Sequence, residues 1–287
     1  MSQLVPWWAK IALKVVLSRA PLEQGWWKKR GLFVHGAMDQ PPYAFKVLQS
    51  HLDRVGWSNL EGKVVVEFGP GDSLATAVVA RALGAERCYL CDASPAASAT
   101  LPTYVRLQQY LENRGLRPPD LRECRTIDAV LDLCRAEYLT DGLVGLRRIP
   151  TASVDLVFSQ AVLEHVRLTQ FAETQAEIRR MLCRGGLASH QVDLKDHLAG
   201  ALNSLRFEER TWEADWMARS GFYTNRLRLS EITACVAAAG LVAEVTDIQR
   251  WSRLPTPRAR LAARFQTLSD EELLVKQFDF VARVPLE

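Results

Sequence analysis

The sequence predicts an α/β fold: a doubly wound, mainly parallel sheet of seven strands, preceded by a helical extension and interrupted by one inserted segment. Three observations predict it. From residue 62 onward, short apolar runs alternate with Ala-rich or amphipathic stretches of helical length, the pattern of strands joined by crossover helices. The first run ends in a glycine turn that opens a helix, where open α/β sheets bind ligands. The alternation breaks once, between residues 195 and 228, and then resumes.

In order along the chain, residues 1–60 read as a mainly helical extension, with turns at Pro21, Gly25, Gly31 and the Pro41, Pro42 pair. The core, 61–194, opens with the β-branched run Gly62 to Phe68, followed by an Ala-rich helix from Ser73 to Leu83. A second strand from Arg87 to Asp92, a helix from Leu101 to Arg114 and a short extended segment near Glu137 to Thr140 come next. Val154 to Ser159 is again an apolar strand, Thr169 to Leu182 an amphipathic helix closed by Arg184 and Gly185, and Leu187 to Asp193 a further strand. Residues 195–228, rich in Trp, Arg, Asn and Tyr, read as an inserted lid that contacts an acceptor. The last part, 229–287, returns to the core with a helix from Leu229 to Ala239 and strands at Leu241 to Asp247 and Lys276 to Val284, the last expected to insert antiparallel.

Composition excludes several classes. A chain of 287 residues with 48% apolar and 24% charged content has globular composition, and a net charge of +3 without a basic stripe argues against nucleic acid as partner. No run reaches the roughly 20 apolar residues of a spanning helix, and no secretory signal pattern is visible, so a cytoplasmic protein is expected. Cys88 and Cys91 form a CxxC inside a strand; residues three apart there point to opposite faces, so neither a metal nor a disulfide is expected of them.

The run Val64, Val65, Val66, Glu67, Phe68, Gly69, Pro70, Gly71, Asp72, Ser73 carries the most information. Gly69 and Gly71 allow a tight turn and close backbone approach to a ligand, while Leu74 stands where a dinucleotide fingerprint wants its third glycine. A carboxylate at Glu67 sits badly beside a pyrophosphate and well beside an amino group. Asp92, ending the second strand about 20 positions after Gly71, has the spacing of an acid that accepts from ribose hydroxyls.

These residues resemble motif I of the class I S-adenosylmethionine-dependent methyltransferases, with Ser73 in place of its last glycine. The resemblance covers roughly residues 60–194 and implies a Rossmann-like methyltransferase fold, S-adenosylmethionine as cofactor, and an enzyme. It implies that Glu67, Phe68, Gly69, Pro70 and Gly71 cradle the cofactor, that Asp92 holds the ribose, and that Ala93 lines the adenine pocket. Asp141 and Gly142 would take the adenine amino group, and the segment from Ser159 to Val166 would close over the cofactor through Ser159, Gln160 and His165. The stretch from Ser189 to Arg228 resembles uncharacterised bacterial methyltransferases of polysaccharide or glycolipid assembly, which implies a glycan or other small-molecule acceptor.

Transfer to a hydroxyl needs a group that removes its proton, and histidine is the usual candidate. Of the 5 histidines, His190 and His197 lie in the stretch running off a strand end on the cofactor rim. His190 is expected as general base, Asp193 as its orienter, and His197 as the second candidate. If the strand runs straight through Asp193, the two side chains face opposite ways, so their cooperation requires a bend. His190 as a core residue is the competing expectation, and no metal is expected. In the insertion, Tyr223, Asn225 and Arg226 suit a polyhydroxylated ligand, with inward-packed aromatics as the alternative.

Trp7, Trp8, Lys10 and Lys14, followed by Trp26 to Arg30, suit either a cofactor lid or peripheral contact with the inner membrane face. The leading expectation is therefore an O-methyltransferase of a sugar hydroxyl. The alternatives are methylation of a small aromatic or polyketide hydroxyl, and a catalytically silent binding subunit.

Overall fold

The computed structural model describes residues 37–285 apart from Ser98. The expected N-terminal lid or membrane helix lies outside the described residues, as does His35. Helix α1 (Pro41–Val55) is the first element; its two prolines occupy the opening positions, where no N–H is needed. It ends at Gly56 in the left-handed region (φ 74°), with Trp57 N–H returning to Leu52 O, a Schellman closure.

The core then alternates as β1 (Val64–Phe68), α2 (Ala75–Ala82), β2 (Arg87–Cys91), α3 (Leu101–Glu112), α4 (Ile127–Leu133), β3 (Ala136–Leu139), α5 (Leu143–Arg147), β4 (Val154–Gln160), α6 (Leu168–Met181) and β5 (Leu182–Asp193). Two single-turn helices, α7 (Glu209–Trp212) and α8 (Asp215–Ala218), follow, then α9 (Leu229–Ala238) and β6 (Val242–Arg250). The short α10 (Ala263–Gln266) and α11 (Asp270–Leu273) lead into β7 (Val275–Arg283). The seven strands lie in the order β3-β2-β1-β4-β5-β7-β6. The first five are parallel, and β7 inserts antiparallel between β5 and β6 as expected.

Alternation along the strands sends Val65, Cys88, Leu90, Leu156 and Phe158 into a core under α1, α2 and α3. Val66, Cys91, Val157, Ala188 and Phe280 enter a second core under α6 and α9. Cys88 and Cys91 thus occupy opposite faces, and all six cysteines are free.

Two local readings change. Helix α2 begins at Ala75 rather than at Ser73, which is buried in the turn before it. Gly185 and Gly186 do not close α6. They sit inside β5, at a register shift opposite Val154 and Leu156, where a Cβ on Gly186 would meet Val154 O at 2.8 Å. Among the described residues no helix is long and apolar enough to cross a membrane.

Candidate functional site

The carboxyl ends of β1, β2, β4 and β5 form one rim. At β1 the chain turns through Gly69 (φ 78°) and Gly71 (φ 67°), backbone that favours glycine. A Cβ on Gly69 would stand 2.5 Å from a Val162 methyl, so the β1 turn and the segment after β4 touch at this point. Glu67 points into the protein and is 3% exposed. Burial pushes its carboxyl up to about 8, against the pull of the Thr76 hydroxyl, and Asp92 adds to the rise. Its Oε2 makes no well-formed hydrogen bond. A buried carboxyl in that condition fits an ammonium ligand, which is the methionine end of S-adenosylmethionine.

Beside it, Asp92 O accepts from Gly142 N–H at 3.0 Å, and Asp92 Oδ1 accepts from Ala93 N–H at 2.7 Å. The strand ends of β2 and β3 therefore bring Asp92, Ala93, Asp141 and Gly142 together, with Asp141 and Ala93 exposed to a ligand. Phe68 ends β1 and Pro70 lies in the turn that follows. These residues, expected to hold the cofactor, thus lie together at the ends of β1, β2 and β3.

The other half differs from expectation. His190 is fully buried in the sheet, with Ser159 Oγ 2.7 Å from its Nδ1 and the Phe280 ring at 5.1 Å. Desolvation, with help from Arg54, lowers it to about 3. It is a neutral core residue and cannot serve as base, and Ser159, its partner, is equally buried. Strand β5 runs straight through Asp193, paired with Gln277, so Asp193 faces away from His190 and pairs with Lys195 at 3.2 Å.

The second candidate is better placed. After β5, Asp196 Oδ1 accepts from Leu198 N–H and Ala199 N–H, and Oδ2 from Asn203 N–H, a turn that presents His197. His197 Nε2 lies 3.1 Å from His165 Nε2, with ring planes 12° apart. His165 Nδ1 lies 3.0 Å from Tyr223 O, an acceptor only, so Nδ1 carries the proton. The His165 Nε2 lone pair then receives the His197 Nε2–H, which puts the lone pair of a neutral His197 on Nδ1.

The insertion supports this pair rather than facing a ligand. Asn225 is buried; its Nδ2 donates to Leu163 O (2.8 Å) and Val166 O (3.1 Å), and its N–H to Glu164 O (2.7 Å), which fixes the turn bearing His165. Tyr223 OH donates to Glu213 and accepts from Leu168 N–H. Arg226 is buried against Trp212 and Phe265 and donates to Phe207 O at 2.6 Å. The expected acceptor contacts from Tyr223, Asn225 and Arg226 are thus corrected to internal ones, because their polar atoms satisfy backbone groups of a loop with its own small core.

Sequence reading missed Glu164, buried under the same turn. Its Oε1 accepts from Asp193 N–H at 3.2 Å, and burial pushes its carboxyl up to about 8. It also missed Gln191, which meets Gln160 across β4 and β5, and His51, bonded to Gln160 Oε1 at 3.1 Å. The adjacency of Glu164 to His165 was a visible signal; a helix residue reaching across to a strand had none. Among the described residues no cluster could hold a metal.

Residues 66–189 match a family model described as a methyltransferase domain. No curated protein matches the chain. Among solved structures, a Haloferax volcanii methyltransferase in complex with a methyltransferase activator is 18% identical, covering 85% of this chain and 94% of that one, with TM-score 0.42. Haemonchus contortus phosphoethanolamine N-methyltransferase 2 is 16% identical, with coverage of 83% and 52% and TM-score 0.47; the chain spans about half of its length. A Mesorhizobium loti S-adenosylmethionine-dependent methyltransferase is 15% identical, with coverage of 80% and 94% and TM-score 0.45.

Proposed function

We propose that this S-adenosylmethionine-dependent methyltransferase methylates a sugar hydroxyl of a glycan or glycolipid precursor, with the His165 and His197 pair as proton acceptor. The observation that carries this reading is the pair itself, two exposed imidazoles 3.1 Å apart on the rim that bears Gly69 and Asp92. When bound, the cofactor supplies an electrophilic methyl group on a sulfonium. The protein's own residues do the rest: Glu67 and Asp92 hold the two ends of the donor, and the hydroxyl proton passes to His197 Nδ1. His165, fixed by Tyr223 O, takes up the adjoining Nε2–H bond and stabilises the imidazolium that forms. Gln160, Gln191 and Asp193, half-buried at the ends of β4 and β5, supply the polar lining that suits an acceptor rich in hydroxyls.

Transfer of labelled methyl to a panel of methyl glycosides and nucleotide sugars tests the reading. Turnover is expected with wild type, with kcat lowered about 100-fold or more in His197→Ala and S-adenosylhomocysteine affinity unchanged. Full turnover by His197→Ala would remove the pair from the chemistry, and turnover confined to aromatic or amine acceptors would remove the sugar.

A further inference from the structure

We infer that a buried relay running from Asp279 to Gln191 fixes the direction of two carboxamides, so that Gln191 presents N–H donors to an oxygen of the acceptor. The inference rests on the sugar reading above for the class of acceptor, and on geometry alone for the relay. Arg54, on α1, pairs with Asp279 of β7 at 2.5 Å, both partners nearly buried. The same guanidinium lies 2.9 Å from His51 Nδ1 and 3.0 Å from Ser189 Oγ. A guanidinium can only donate, so His51 Nδ1 must be an acceptor. Ser189 Oγ, 2.8 Å away, accepts from Arg54 and can direct its own proton to the same nitrogen.

The consequences propagate in one direction. His51 is fully buried over the Phe158 ring, and desolvation, then Arg54, then His190 hold it well below the ordinary histidine value. These are the charged and titratable groups that face it: Arg54 from its own helix, with Asp279 of β7 behind it, and His190 from β5. The ring is therefore neutral, and with Nδ1 accepting, Nε2 carries the hydrogen and donates to Gln160 Oε1 at 3.1 Å. With its oxygen so used, Gln160 turns its Nε2 to Gln191 Oε1. An amide whose oxygen is occupied in this way has only donors left to offer. Gln191 ends the relay half-buried, on β5, one strand farther than Gln160 from the β1 turn that holds the donor. Because the residues assigned to the donor gather at the ends of β1 and β2, the β5 side of the rim is the part left for an acceptor.

Gln191 is on this view a specificity residue and His51 a positioning residue acting through Gln160. The 15N shifts of His51 read the relay without any ligand. The Nε2–H tautomer is expected from about pH 5.5 to about pH 8.5, roughly one unit below to two above the free-imidazole value, and in Arg54→Met the fixed tautomer is lost. An Nδ1–H tautomer in wild type would overturn the relay.

The ligand is read with S-adenosylhomocysteine-loaded protein titrated with methyl α-D-mannopyranoside and methyl α-L-rhamnopyranoside, following the Gln191 side-chain amide resonances. A saturable shift is expected, weakened about three- to ten-fold in Gln191→Met with S-adenosylhomocysteine affinity within about two-fold of wild type, and weakened likewise in Gln160→Glu, which reverses the donor. If Gln191→Met instead loses S-adenosylhomocysteine, the oxygen it meets is the cofactor carboxylate, and the assignment to the acceptor is overturned. Sugars bound equally by wild type and both variants would overturn it as well. So would a failure of both sugars to shift Gln191 in wild type. Methyl transfer to sugars by wild type, measured separately, succeeds or fails independently of these variants.

Discussion

A buried imidazole held near 3 is, at neutral pH, a neutral hydrogen-bond partner, and this has a consequence for stability at His190. Its unfolded value is near 6.5. Between about 3 and 6.5 the unfolded chain binds the proton and the folded protein does not, so stability falls as the pH is lowered through that window. His190→Asn, uncharged at every pH, is expected to flatten the pH dependence of denaturant unfolding below 6.5 while leaving transfer chemistry in place. Glu67 has the opposite sign. Its folded value of about 8 makes it protonated at pH 7, and a bound ammonium would draw the proton off. Calorimetry in buffers of different ionisation enthalpy is expected to show more proton release on S-adenosylmethionine binding by wild type than by Glu67→Gln. Equal proton release by the two would mean that Glu67 does not meet the cofactor. Glu164, also raised to about 8, keeps its proton in the folded protein while the unfolded chain releases it from 4.5 upward, so it costs folding free energy as the pH rises through that window.

The elements matter through their ends. Strand β1 is a three-valine run, and its value to the site is the turn that follows, where Gly69 touches Val162. Gly69→Ala would add a methyl 2.5 Å from Val162 at a φ of 78°. It is expected to lower S-adenosylmethionine affinity by about ten-fold or more and to reduce the unfolding midpoint, both checked by titration calorimetry and thermal melting. The segment after β4 takes Ala161 through φ 55° and then a short 3-10 turn over Leu163–His165, which Asn225 holds from the insertion. The His165 and His197 pair thus belongs to the join between two loops, and neither loop alone defines it.

At the scale of the molecule, the insertion and the C-terminal third lock onto the parallel core through buried cations bonded to carbonyls. Arg228, 1% exposed, donates to Leu194 O at the end of β5 and to Val275 O at the start of β7. Arg228→Met is expected to destabilise the whole protein by about 2–4 kcal/mol, because it leaves those buried carbonyls without donors. The measurement is the urea midpoint, shifted with little change in slope. A shift below about 0.5 kcal/mol would mean that water replaces the guanidinium there. Leu205 O accepts from Ala262 N–H, and Arg264 reaches Glu209, so residues of the insertion and of the segment after β6 pack as one layer.

The doubly wound sheet, its closing antiparallel strand and the glycine turn with the neighbouring Asp92 at one rim were legible in the sequence. Each depends on local pattern: alternating apolar runs, a glycine turn after a strand, and an acid about 20 positions later. His165 and His197 were each named from the sequence, but that they meet was not legible, because it depends on contacts between distant residues. The pairing of β5 with β7 decides that the strand runs on through Asp193, and so which of the two expectations for His190 holds. Only the packing of the insertion shows that Asn225 serves a backbone turn and that His165 meets His197, and only helix α1 lying on the sheet brings His51 to Gln160. A side chain's face follows from its neighbours in sequence once its strand is known, whereas its partner follows from the free energy of the whole fold.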